Sequence, residues 1–132
     1  GQFAERVVIV GAGPGGLSAA VYAAMGQLML EKRRYSDARA PLESALQLNP
    51  GQPVLTAMYS YVLAILGKRR EASVQLAGLS DRLDDPAFVA WKSRAFIAAG
   101  EKNAAQALLT RYLRGQQRDP VAWALMLELS AE

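Results

Sequence analysis

The sequence predicts an all-α solenoid: three helix–turn–helix repeats and a C-terminal capping helix, preceded by a non-repeat N-terminal arm. Three observations carry that expectation. Ala38, Ala72 and Ala105 recur at intervals of 34 and 33 residues, each five residues after Arg33, Gly67 or Gly100. Pro50, Pro86 and Pro120, which close successive units, recur at intervals of 36 and 34. Beyond Gly16 the apolar residues are mainly aliphatic and Ala, and nothing reads as a strand. A period near 34 built from helix pairs marks a chain in which each unit buries its apolar face on the next.

Composition narrows the function classes. The 132 residues are 52% hydrophobic and 20% charged, which fits one folded domain with a real core. A net charge of +3 and a pI near 9.5 are mildly basic, short of a nucleic-acid-coating protein. There is no cysteine, so no disulfide, thiolate ligand or thiol nucleophile exists, and a reducing compartment is tolerated. There is no histidine, which removes the commonest general base, the usual zinc ligand and any Ser-His-Asp arrangement. No catalytic residue, metal site or cofactor is assigned. The longest apolar stretches are broken well short of ~18 residues, so no membrane insertion is expected. A secretory signal would need a basic start and a longer apolar run than Val7–Val10. A chain opening on Gly1 rather than Met reads as trimmed.

Residues 1–16 are the odd element. "VVIVGAGPGG" holds a G-x-G-x-x-G at Gly11, Gly13 and Gly16, and Glu31 follows Gly11 by 20 residues, near the place of a ribose-binding carboxylate. A dinucleotide domain needs further strands beside the first, and the candidate second strand, "QLMLEK", has no β-branched residue. An FAD- or NAD-binding fragment is therefore the remote alternative. The segment reads instead as an arm or a foreign piece: a tag remnant, a tail, or an extended stretch docked on its own stack or a neighbour's. Such an arm could also join two copies as a homodimer.

The first unit, 19–52, sets Tyr22, Met25-Gly26, Met29, Tyr35, Ala38, Leu42, Ala45 and Pro50 at regular offsets. Small Gly26 and Ala38 let its two helices approach, while Tyr22, Met29, Leu42 and Leu46 fill the space between them. The second unit, 53–85, keeps Gly67, Ala72, Leu76 and Leu79, with Thr56 where the first has an aromatic. The third, 86–119, keeps Gly100 and Ala105 and carries Trp91. Asp119-Pro120 opens a capping helix over 120–131, with Asp as N-cap and Pro at the first helical position. Among Asp81, Asp84 and Asp85, one or more residues should cap the fifth helix. Trp91 and Trp123 read as inter-helix core.

These units resemble the tetratricopeptide repeat (TPR), over a domain 17–132. The resemblance implies a superhelix whose first helices line a concave groove. Placed on it, Gln27, Leu30 and Glu31 face the groove from the first helix. Ala57, Tyr61, Ala64 and Ile65 face it from the third, and Ala90, Arg94, Ile97 and Ala98 from the fifth. Such a floor, mostly small and apolar, suits a helical or extended segment of a protein partner. Tyr61 reads equally as packing filler or ligand contact; Arg94 reads as a ligand contact, since a buried unpaired guanidinium is costly. Groove floors that grip a C-terminal carboxylate need several Lys, Arg and Asn, and only Arg94 fits.

"KRR" occurs at Lys32-Arg33-Arg34 and again at Lys68-Arg69-Arg70, both at turns within units. The pair reads as a solvated basic edge, with docking to an acidic protein surface as the alternative. Phosphate binding is disfavoured because no aromatics are interleaved. The run Asp85, Pro86, Trp91, Ser93, Arg94, Ala95, Gly100, Ala105, Tyr112, Leu113 is similar to the small TPR chaperones of bacterial type III secretion, of the YscY type, with the SycD-like translocator chaperones as near neighbours. That similarity implies a cytoplasmic, non-enzymatic chaperone holding an export substrate. A TPR scaffold in pilus, envelope or signalling assembly is the alternative.

Overall fold

The computed structural model describes residues 16–131. Residues 1–15 of the arm, with Gly11 and Gly13 of its glycine motif, lie outside the described residues, and so do the arm's expected roles in docking and in a homodimer.

The described residues form an all-α fold of seven helices without strands: α1 (Ala19–Glu31), α2 (Tyr35–Leu48), α3 (Pro53–Ile65), α4 (Arg69–Ala77), α5 (Pro86–Ala98), α6 (Lys102–Leu113) and α7 (Pro120–Ser130). Residues 27–32, the candidate second strand of a dinucleotide domain, belong to α1 and its C-cap. None of the described helices is long and apolar enough to cross a membrane.

Local chemistry starts α1, α3, α5 and α7 in one way and α2, α4 and α6 in another. Ser18 Oγ accepts from Val21 N at 3.2 Å, and Gln52 Oε1 from Leu55 N at 2.8 Å. Asp85 Oδ1 accepts from Ala87 N and Phe88 N at 3.1 and 3.2 Å, and Asp119 Oδ1 from Val121 N and Ala122 N at 2.9 and 3.3 Å. Each satisfies amides that the first helical turn leaves without partners. Helices α2, α4 and α6 have no such side-chain cap. They emerge from three turns of identical bonding, in which Arg34 N, Lys68 N and Glu101 N each donate at 2.8 Å to Met29 O, Leu63 O and Phe96 O. That closure needs a left-handed residue just before it. Gly67 and Gly100 supply it at φ 92° and 84°, and Arg33 does so at 59°.

Packing follows chain order. Helices in close contact are one or two places apart: α1 on α2, α2 on α3, α3 on both α4 and α5, α4 on α5, α5 on α6, and α7 on α5 and α6. Ala38, Ala72 and Ala105 are all 0% exposed, so the alanines that recur along the sequence are wholly enclosed by packing. A Cβ on Gly26 would lie 2.6 Å from Leu42 Cγ. Tyr22, Met29 and Leu46 pack around the buried set of Leu30, Leu42, Leu55, Met58 and Val62. A second cluster, including Val89, Leu109, Tyr112 and Leu125, joins α5, α6 and α7.

Three features differ from expectation. Helix α4 has nine residues, so Leu79 lies beyond it; its carbonyl instead accepts from Lys92 Nζ at 2.9 Å. Trp123 is 45% exposed rather than core, because the inward face of α7 is taken by Ala122 and Leu125, and its indole N–H donates to Gln117 O at 2.6 Å. Trp91 is only half-buried and serves two environments, packing on the α1–α3 cluster and facing a cleft.

Candidate functional site

The cleft has a volume of about 560 Å³ and is open along one side, with walls from α1, α3 and α5 and ends at the first turn and the start of α7. Helices α1, α3 and α5 each precede one of the three like turns, and each contributes side chains to the cleft. A line of aromatic rings crosses it. Tyr35 meets Tyr61 edge to face at 6.1 Å between centroids, and Tyr61 meets Trp91 the same way at 5.7 Å. The Arg94 guanidinium carbon lies 4.9 Å over the Trp91 ring, an arrangement in which a cation sits on the negative face of the indole.

Of the residues placed in the groove from sequence, Gln27, Leu30, Glu31, Tyr61, Ala90 and Arg94 line this cleft. Ile65, Ile97 and Ala98 line a second concavity of about 330 Å³, shared with Tyr61, Arg94, Leu125 and Glu128. Ala57 and Ala64 line neither; at 0% and 4% exposed they belong to the core, because α3 is packed on α2, α4 and α5 together. Arg33, Tyr35, Trp91, Asp119 and Val121, none of them placed in the groove from sequence, also line the cleft. The clue to Trp91 was its spacing three residues before Arg94, which sets both on one helix face.

The two basic triplets do not act alike. All six side chains belong to exposed residues, but Arg33 turns to the cleft. Arg34 pairs with Asp37 at 2.8 Å, and Lys68 with Glu71 at 3.8 Å. Lys68, Arg69 and Arg70 border a separate depression with Val74 and Gln75. Arg69 reaches the third turn, where its Nη1 lies 3.6 Å from the position of a Cβ on Gly100.

Electrostatics inside the cleft follow from which charges are already engaged. Glu31 Oε2 accepts from Gln27 Nε2 at 3.5 Å. Asp119 caps α7 and accepts from the Tyr112 hydroxyl at 2.5 Å. That hydroxyl, opposed by partial burial and helped by the two backbone amides, holds the Asp119 carboxyl below its ordinary value. Burial first, then the neighbouring Tyr35 hydroxyl, push Tyr61 up to about 12, while the charges of Arg94 and Arg33 pull it back.

Behind the cleft wall lies a second polar cluster that sequence reasoning did not find. Lys92 is 4% exposed. Its ammonium donates to Asp81 Oδ1 at 2.7 Å and lies 5.6 and 5.5 Å from the ring centres of Phe88 and Phe96. Asp81 also accepts from Arg111 at 2.6 Å. Burial pushes the Asp81 carboxyl up, but the hydrogen bonds from Lys92 and Arg111 outweigh it and leave the group lowered. The connector after α4 is thereby tied to α5 and α6. Aromatic residues four positions to either side of a lysine were the signal available in the sequence.

No protein-family model and no curated protein sequence matches this chain.

Proposed function

We propose that this chain is a non-enzymatic protein-binding module of the tetratricopeptide-repeat kind, and that it is a cytoplasmic chaperone holding a type III secretion export substrate. The observation that carries the binding reading is the aromatic-floored cleft built from α1, α3 and α5. Support for the repeat reading comes from three turns with the same bonds and from a fully buried Ala five residues after each left-handed position. The chaperone assignment draws on the sequence resemblance around Trp91, Arg94 and Gly100.

Such a cleft takes an amphipathic segment. Apolar side chains of the segment leave water against Leu30, Tyr61 and Trp91, each contributing roughly 1.5–3 kcal/mol if fully buried. Ordering the segment offsets part of that gain, which suits a partner that must later be handed on. Covering an otherwise exposed apolar face would keep an export substrate from aggregating before secretion.

The test is affinity purification of the chain and of its Trp91→Ala variant from the native lysate, read by mass spectrometry. The proposal expects one small secreted protein with the parent chain, depleted at least fivefold with Trp91→Ala. Recovery of folded envelope or signalling proteins instead would replace the chaperone reading with that of a scaffold. Equal recovery by both chains would remove the cleft as the site.

A further inference from the structure

We propose that Arg33 and Arg94 form an acid-reading subsite in the cleft, which selects partner segments carrying an Asp or Glu side chain beside a large apolar one. The proposal rests on the cleft being a peptide site, as above, and adds the chemistry by which it chooses.

Arg33 is the first argument. It occupies the turn position held by Gly67 and Gly100 in the other two hairpins, five residues before the buried alanine. The turn demands a left-handed backbone there, and Arg33 adopts it at φ 59°. Glycine meets that demand without steric conflict, whereas a residue with a Cβ does not. The first turn therefore carries a residue unfavourable for the backbone, and its side chain lines the cleft. A non-glycine residue held in this region points to a use for its side chain.

Arg94 is the second. It lines the same cleft from α5, stacked over Trp91. Neither guanidinium makes an ion pair among the described residues. Two carboxylates share the cleft without pairing to either guanidinium: Glu31, which keeps its charge beside the neutral Gln27 amide at 3.5 Å, and Asp119, held by Tyr112 and two backbone amides; Glu128, in the neighbouring concavity, makes no ion pair with Arg94. Two cations thus border the aromatic floor, Arg94 over the Trp91 ring and Arg33 at the turn before Tyr35. The complement of a paired-guanidinium site beside aromatic edges is a carboxylate flanked by an apolar anchor.

The test uses random 16-residue peptides displayed internally on phage, with no terminal carboxylate near the insert, panned on the full chain and on the Arg33→Gly, Arg94→Gln double variant. Peptides from the parent chain should show Asp or Glu enriched at least fivefold at one position next to a large apolar residue, and the double variant should lose that enrichment. A selected peptide should bind about tenfold more weakly after Glu→Gln, or to Arg33→Gly alone, and the two changes together should cost little more than either. Arg33→Gly relieves the turn, so its melting temperature should not fall and misfolding cannot mimic the result. Apolar peptides without acidic enrichment would overturn this proposal and leave the binding cleft standing. Failure to select any peptide on the parent chain would overturn both.

Discussion

Tyr112 and Asp119 are joined by a 2.5 Å hydrogen bond in which the phenol donates to Oδ2, while Oδ1 of the same carboxylate caps α7. One side chain therefore fastens the last helix to α6 and ends one side of the cleft. Asp119→Ala should destabilise the fold by about 1–2 kcal/mol in urea unfolding. The bond also sets a pH dependence. Because the folded-state carboxyl is lowered from 3.8, its contribution is complete above that value and is lost as pH falls below it. Asp119→Asn keeps a capping oxygen but no charge, so the stability gap between parent and variant should narrow on acidification below pH 4.

Gly26 should resist substitution even though alanine is the better helix former. The added Cβ would lie 2.6 Å from Leu42 Cγ, and Leu42 is itself fully buried. Overpacking of this kind costs about 1–3 kcal/mol, against a propensity gain of about 1. Gly26→Ala should lower the melting temperature, and the combined change with Leu42→Ala, which alone costs about 2–5 kcal/mol, should fall short of the sum of the two single losses.

The buried lysine separates two kinds of loss. Asp81→Ala strands the Lys92 ammonium between two phenyl rings with only the Leu79 carbonyl and should cost about 3 kcal/mol. Lys92→Met removes the charge, keeps the stem, and leaves Asp81 with Arg111; it should cost under about 1.5 kcal/mol. Equal losses would refute the pairing as the reason for the burial.

Ser93 presents a fully buried hydroxyl without a hydrogen-bond partner among the described residues. Removing it relieves a desolvation cost of about 1–3 kcal/mol in part, so Ser93→Ala should leave stability unchanged or raise it. Thermal unfolding of the variant measures this directly.

Helix pairing and helix starts were legible in the sequence because they are local. Asp85-Pro86 and Asp119-Pro120 name their own caps, and the alanines that recur every 33 or 34 residues are wholly enclosed by packing. The faces of the helices were less legible. Ala57 and Ala64 sit on the same helix as Tyr61, and a small turn of α3 about its axis decides which of them meets the cleft. Trp123 has the size and apolarity of a core residue, but α7 is the last described helix and only one of its sides is covered. The role of Arg33 was hidden for a different reason. In sequence it is one cation of a basic triplet, and only the backbone angle separates it from its neighbours.

The proposed function requires a protein partner to sit in the cleft. Site-specific photocrosslinking in the native cell tests this most directly, with benzoylphenylalanine at Ala90, on the cleft wall, and separately at Val74, exposed on α4 away from it. A discrete crosslinked protein is expected from position 90 and none from position 74. A crosslink at 74 with none at 90 would contradict the proposal.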